Sequence, residues 1–129
     1  MIQPGIRNEQ VMKIENENTA VVMGSGDLAV LATPAMIALM EGCAAKSVVN
    51  QLETDETTVG TKIEVEHLAP SPVGMEIRCI SLLEAAEGRR LLFSLEVYDA
   101  YGLIGRGRHE RYIVKSAPFL DKTYARQKK

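Results

Sequence analysis

One long apolar segment limits the folds open to this chain of 129 residues. Thr33-Pro34 places a side-chain oxygen at a helix N-cap and a proline at the first helical position. Strong helix formers continue from there through Leu52. The apolar side chains of residues 33–52 point in nearly every direction around the predicted helix, so it does not suit a surface position. The rest of the chain must therefore enclose this helix on several sides.

Most of the remaining sequence has the patterning of β-strands. Short turns at Glu87-Gly88 and Tyr101-Gly102 separate the longest of them. Short connections favour antiparallel neighbours, so the sequence predicts an α+β fold in which one helix packs against a curved antiparallel sheet. The predicted strands are residues 10–14, 19–23, 61–67, 74–85, 89–99 and 104–115.

Composition and length indicate a single globular domain. The chain is 46% hydrophobic and 25% charged, which is ordinary for a soluble protein. We expect one domain over residues 1–129, with a loosely ordered tail from about residue 120. No apolar run reaches the ~18 residues of a membrane span, and the N-terminus lacks a signal-peptide pattern, so we expect a cytoplasmic protein without a membrane partner. Cys43 and Cys79 are isolated and are interpreted as core thiols.

Charge is distributed unevenly along the chain. Residues 1–88 hold 13 acidic and 5 basic side chains, whereas residues 89–129 hold 4 acidic and 10 basic ones. The basic stretch from Gly105 to Arg111 suits either phosphate oxygens or ion pairing on an edge strand, and the pattern leaves both open. An acidic pI of about 5.7 argues against nucleic-acid binding. No phosphate-binding or dinucleotide-binding glycine motif is present, and the two histidines have no metal-ligand spacing.

Three polar side chains occupy positions that the apolar pattern does not explain. Thr33 begins the helix, Glu41 lies within its apolar stretch, and His67 ends a strand on the same face as Ile63 and Val65. Each has an ordinary structural interpretation, as a helix cap, a carboxylate reaching solvent and a hydrogen-bonded core histidine.

Together the same three residues have the chemistry of a hydrolytic site. A helix N-terminus stabilises a developing oxyanion, while a carboxylate and an imidazole transfer protons or activate water. Eight residues of helix separate Thr33 from Glu41 by ~12 Å along the axis, however. We therefore predict that a two-fold dimer completes the site with residues from both chains.

Three segments in order resemble the hotdog-fold thioesterases related to fluoroacetyl-CoA thioesterase: ATPAMIALMEGCA, VGTKIEVEHLAPSPVG and EGRRLLFSLEVYDAYGLIGRGRHERYIV. The resemblance runs from about residue 31 to residue 114. It implies a hotdog fold, a homodimer and hydrolysis of an acyl-CoA thioester. Coenzyme A would then be part of the substrate, and no separate cofactor is expected. Whether two dimers pair further is left open.

The resemblance also assigns site residues. The family's catalytic threonine, glutamate and histidine fall on Thr33, Glu41 and His67, with both intervals preserved. Its substrate-contacting glycine corresponds to Gly60, and its CoA-contacting arginine corresponds to Arg111. His67 is expected to transfer protons, Glu41 to act as base or nucleophile, and Thr33 to position the carbonyl or attack it.

One departure bears on the substrate. The fluoroacetyl-specific enzyme has a longer segment with phenylalanines before its threonine, whereas this chain has GSGDLAVLA there, without an aromatic residue. We therefore expect a different or broader acyl range. A hotdog hydratase or dehydratase and a non-catalytic acyl-CoA-binding protein are the alternatives.

Overall fold

Five antiparallel strands form one sheet in the order β1-β3-β4-β5-β2, and one long helix packs against it. The structure is a computed structural model that describes residues 2–127. The arrangement confirms the predicted α+β fold. The elements are β1 (Arg7–Lys13), α1 (Ala20–Met23), α2 (Thr33–Ser47), β2 (Glu56–His67), β3 (Glu76–Glu87), β4 (Arg90–Asp99), β5 (Gly102–Lys115) and α3 (Ser116–Ala125).

The long helix is shorter than predicted. Helix α2 ends at Ser47, and a 3₁₀ turn over Val49–Gln51 follows. Two adjacent β-branched valines, which have lower helix propensity, come directly after its last residue. At the other end, Ala32 is the N-cap and makes no side-chain cap bond, so Thr33 is the first helical residue. The predicted capping role of Thr33 is therefore wrong.

The core lies between α2 and the inner face of the sheet. Strands β3 and β4 contribute alternate residues to it, as the period of two requires. The opposite side of α2 is open, with Pro34 and Ala38 exposed and Glu41 half-buried. The chain thus covers this helix on one side only, where the apolar pattern predicted enclosure on several. The buried residues of α2 are Ala35, Met36, Leu39, Met40, Cys43 and Ala44.

A glycine on β5 allows the helix to approach the sheet. A Cβ atom added at Gly105 would lie 2.5 Å from Sδ of Met36 and 2.8 Å from its Cε atom. Met36 is fully buried, so its side chain occupies the space that any larger residue at position 105 would need. Packing against Met36 therefore explains why position 105, in the basic stretch, is a glycine.

Two segments, residues 19–23 and the stretch after residue 120, differ in structure from the sequence prediction. Residues 19–23, predicted as a strand, contain the single helical turn α1, which ends at Gly24 in the left-handed region with φ of 79°. The tail predicted to be loosely ordered from about residue 120 is helical through Ala125, although most of its side chains are exposed. The last residues of that predicted tail, Lys128 and Lys129, lie outside the described residues.

Two further predictions can be compared with the described chain. Cys43 and Cys79 are free and fully buried, which confirms that they are core thiols. Among residues 2–127, no helix combines the length and the apolar character needed to cross a membrane.

Candidate functional site

The N-terminus of α2 and the end of β2 bring two predicted residues together. Oγ1 of Thr33 and Nδ1 of His67 lie 2.7 Å apart, although 34 positions separate the residues in sequence. Because Ala32 takes the cap position, the Thr33 hydroxyl is free to make this bond. The pair adjoins a cavity of about 260 Å³, whose other walls are Val30, Leu31, Leu68, Ala69 and Pro70.

The environment of His67 suits a proton acceptor. Its Nε2 atom is buried and has no hydrogen-bond partner among the described residues. Burial also lowers the pKa of His67 from its ordinary value of 6.5, because the charged imidazolium loses hydration there. The imidazole is therefore neutral at neutral pH, and its Nδ1 atom is able to accept the Thr33 hydroxyl proton.

Glu41 belongs to a second group of side chains, further along α2. A Cβ atom added at Gly60 would lie 3.2 Å from Oε2 of Glu41, 3.3 Å from Nη1 of Arg111 and 3.1 Å from Cε1 of His109. Gly60 and Arg111 are opposite each other in the β2–β5 register. The absence of a side chain at Gly60 thus leaves room between a carboxylate and a guanidinium group.

Arg111 points inward and is only 8% exposed. Its Nε atom donates to Oγ1 of Thr58 at 2.8 Å, and its Nη2 atom donates to the carbonyl oxygen of Thr58 at 2.8 Å. Its Nη1 atom lies 3.1 Å from Nε2 of His109. The guanidinium group is therefore fixed on the inner face of the sheet, close to Glu41.

One chain contains the predicted site residues as two separate groups. Thr33 and His67 form the first, and Glu41, Gly60 and Arg111 form the second. Within residues 2–127, no hydrogen bond or ion pair joins Glu41 to Thr33 or His67. Eight residues of helix place the two groups ~12 Å apart along α2. That the site is shared between two chains remains a prediction.

Several basic side chains of residues 89–129 form ion pairs with the acidic part of the chain. Arg106 contacts Glu66 at 2.7 Å, Lys115 contacts Asp55 at 3.0 Å, and Arg89 contacts Glu56 at 3.8 Å. These pairs are exposed or half-exposed on their basic side, and each one contributes little to stability. Of the two interpretations left open, ion pairing is the one that the structure shows for these residues.

A larger concavity of about 850 Å³ lies on the sheet face away from α2. Charged side chains of both signs surround it, among them Arg7, Glu64, Glu96 and Arg108. None of the predicted site residues lines it. No cluster of three or more histidine, cysteine or acidic residues in the described chain has an arrangement that would hold a metal ion.

The sequence profile of the fluoroacetyl-CoA-specific thioesterase family matches residues 14–117. The chain belongs to this family. The match contains both groups of side chains at their observed places on α2, β2 and β5. This confirms the resemblance drawn from the three sequence segments.

Individual relatives agree with the family assignment. The fluoroacetyl-CoA thioesterase of Streptantibioticus cattleyicolor is 36% identical over 90 residues, which cover 70% of this chain and 65% of that protein. A threonine-to-serine variant of the fluoroacetyl-CoA thioesterase, solved in complex with acetyl-CoA, superposes with a TM-score of 0.91 at 27% identity, covering 97% of this chain and 98% of that one. A thioesterase superfamily member from Thermus thermophilus gives a TM-score of 0.89 at 31% identity, covering 99% of this chain and 94% of that one. The hotdog fold is therefore confirmed.

Sequence reasoning did not identify two residues that bond to Arg111 of the second group, His109 and Thr58. Alternation along β5 placed His109 on the same face as Arg111, and that was the available signal for His109. Thr58 gave no such signal, because a bulge between Gly60 and Lys62 changes which β2 residues face inward. Its contacts with Arg111 span 53 positions in sequence.

Proposed function

We propose that this protein hydrolyses acyl-CoA thioesters to the free acid and CoA, with Thr33, Glu41 and His67 as its catalytic residues. The observation that supports this most directly is the 2.7 Å contact between the Thr33 hydroxyl and His67 at the start of α2. Family membership and the relatives named as thioesterases supply the reaction class.

The helix start has the electrostatics that thioester hydrolysis needs. Pro34 carries no N–H group, so the amides free of helical bonds in the first turn are those of Thr33 and Ala35. These donors and the positive end of the helix dipole stabilise the negative oxygen that forms when the carbonyl carbon is attacked. The adjoining cavity has room for the reacting group.

The protons have defined destinations in this proposal. His67 accepts a proton through Nδ1, from the Thr33 hydroxyl or from a water held by it, and later gives a proton to the departing CoA sulfur. Glu41 acts as the base that activates water or as the nucleophile that carries the acyl group. Water is the only other reactant, so the reaction requires no cofactor.

The edge strand β2 supports a homodimeric site. It is 12 residues long, ends the sheet, and pairs only with β5 on one side. A long free edge of this kind favours pairing with a second copy. Antiparallel pairing of two β2 strands centred near Glu64 brings Lys62 opposite Glu66 of the other copy. It also brings His67 opposite Thr61 of that copy, next to Gly60, and so brings the two groups of side chains together.

We propose that the enzyme is not specific for the fluoroacetyl group and accepts a different or broader range of acyl groups. The structure has α1 and an exposed loop before Thr33, with apolar but non-aromatic side chains. Aliphatic side chains there favour a broader range of aliphatic acyl groups. The exposed members of this segment are Val21, Val22, Met23 and Leu28.

Release of free thiol from a panel of acyl-CoAs tests the proposal. Glu41→Gln and His67→Ala should each slow release by at least ~100-fold, because general acid–base catalysis contributes about 10²- to 10⁴-fold. Glu96→Gln is the matched control, since Glu96 is an exposed carboxylate on β4, away from β2 and from both groups of site residues. Tight CoA binding without turnover of any acyl-CoA would contradict hydrolysis and favour a binding protein.

A further inference from the structure

His109 is one of the two histidines of the chain and is almost completely buried, with 2% of its surface exposed. It lies on β5, two residues before Arg111, and packs near the ring of Phe93 at a centroid distance of 6.4 Å. Its Cε1 atom is 3.1 Å from the position that a Cβ of Gly60 would occupy. This histidine therefore contacts the predicted substrate-binding residues, although it is not among the assigned ones.

The partners of its ring nitrogens define its protonation state. Nδ1 lies 2.8 Å from the carbonyl oxygen of Lys62, which only accepts, so Nδ1 carries the proton and donates. Nε2 lies 3.1 Å from Nη1 of Arg111, which only donates, so Nε2 is unprotonated and accepts. Burial lowers the pKa of His109, and the Arg111 charge acts in the same direction. The structure thus specifies a neutral imidazole with its proton on Nδ1.

This imidazole completes the set of bonds that orients Arg111. Thr58 accepts from Nε and Nη2, and both of those bonds go to one residue of the edge strand β2. His109 supplies the third bond, to Nη1, from the interior strand β5. Nη1 is also the nitrogen nearest to the open space over Gly60, across from Glu41. Without His109, Nη1 loses the hydrogen bond that it makes to β5 among the described residues.

We propose that His109 is a positioning residue, which holds the Arg111 guanidinium group over Gly60 and opposite the Glu41 carboxylate, where the group meets the bound acyl-CoA. The inference rests on the proposed function, because Arg111 and Gly60 are its predicted substrate contacts. His109 itself acts through Arg111 and does not touch the reacting atoms.

Kinetics of two His109 variants separate positioning from simple packing. His109→Leu removes the acceptor and should raise KM for an acyl-CoA by about 10- to 100-fold, the effect of losing a bond to a charged group, with kcat changed less than about threefold. His109→Gln retains a side-chain oxygen that accepts from Nη1 and should recover most of the loss. Equal KM values for the two variants would overturn the proposal.

A double-mutant cycle tests whether His109 acts through Arg111. In an Arg111→Met background, His109→Leu should raise KM no further, because no guanidinium group is left to hold. If the two substitutions instead multiplied their effects on KM in the double variant, His109 would act independently of Arg111, and the inference would be overturned. Phe93→Leu is the packing control, since it disturbs the same buried ring but removes no bond to Arg111; it should lower stability and leave KM unchanged.

A measurement on the substrate-free protein separates this inference from the proposed function. Long-range ¹H–¹⁵N correlation of the wild-type imidazoles should show His109 neutral and protonated on Nδ1 at pH 7. A proton on Nε2, or a charged ring, would overturn the positioning role even in an active enzyme. If the protein hydrolysed no acyl-CoA but His109 showed the expected tautomer, the proposed function would be contradicted. The His109–Arg111 hydrogen bond would still be supported.

Discussion

Burial lowers the pKa of both His67 and His109, but the two histidines have different hydrogen-bond partners. Within residues 2–127, one ring nitrogen of His67 has no hydrogen-bond partner, and its other nitrogen contacts a hydroxyl. His109 has both nitrogens occupied, by a backbone carbonyl and by Arg111. A histidine whose ring nitrogen contacts a hydroxyl at the substrate site is suited to exchange protons, whereas one that is bonded to an arginine is suited to hold that neighbour. The distinction therefore comes from the partners, because both pKa values are lowered.

The lowered pKa of His67 predicts the pH dependence of the reaction. The neutral imidazole is the competent proton acceptor, and activity is lost as pH falls through the pKa of His67. Because that pKa is below 6.5, the acidic limb due to His67 in a plot of kcat/KM against pH should lie below pH 6.5. Steady-state rates between pH 5 and 9 measure it. The limb should persist in His109→Gln, and a limb assigned to His67 above pH 6.5 would contradict the prediction.

At the scale of elements, two glycines of β5 control how closely the chain packs. A Cβ at Gly105 would meet the flexible end of Met36, whereas a Cβ at Gly107 would lie 2.5 Å from the backbone carbonyl oxygen of Glu64. The Met36 side chain can shift at a lower cost in free energy than the β2 backbone can, because β2 is held to β5 by a long hydrogen-bonded register. The two positions are therefore expected to tolerate substitution unequally.

Gly107→Ala should destabilise the protein more than Gly105→Ala. Overpacking typically costs about 1–3 kcal/mol, and we expect Gly105→Ala within that range and Gly107→Ala at its upper end or beyond. Urea unfolding measures both. Gly42→Ala is the matched control, because its added Cβ meets only Gln10 at 3.8 Å and alanine favours the helix by roughly 0.5–1 kcal/mol. A smaller loss for Gly107→Ala than for Gly105→Ala would contradict this account.

At the scale of the whole molecule, the proposed dimer concerns two surfaces that one chain leaves uncovered, the open side of α2 and the free edge of β2. Glu41 is half-buried on the uncovered side of the helix, and β2 has one unpaired edge. The two groups of site residues are held within one chain but do not meet there. A second copy paired along β2 would cover these surfaces and join Thr33 and His67 of one chain to Glu41 of the other.

Mixed dimers of two inactive variants test this shared site. A dimer of His67→Ala with Glu41→Gln has one site with both defects and one site with neither. Co-expression with random pairing should therefore restore about a quarter of wild-type activity, since half of the dimers are mixed and each contributes one of two sites. Purification through two different tags isolates the mixed species. Activity no higher than that of either variant alone would place the complete site within one chain.

Local patterns in the sequence were sufficient for most of the fold and for part of the site. The apolar stretch after Thr33, the alternation of the strands and the family segments predicted the helix, the sheet and the candidate residues Thr33, Glu41, His67, Gly60 and Arg111. Periodicity is a local property, which is why the helix and the strands needed no long-range information, whereas Gly60 and Arg111 came from the resemblance to the family. The same patterns did not predict α1 or the helical end of the chain, where no clear period is present.

The tertiary structure decided which contacts those residues make. The Thr33 hydroxyl contacts His67 because Ala32 occupies the cap, and Arg111 turns inward because Thr58 and His109 accept its bonds. The 33–67 and 58–111 contacts span 34 and 53 positions, and no local pattern encodes such distances. The sequence by itself therefore determined which side chains are candidates for the chemistry. Long-range packing decided which of them meet in one chain and which lie apart, since hydrogen-bond partners depend on position in space and not on spacing along the chain.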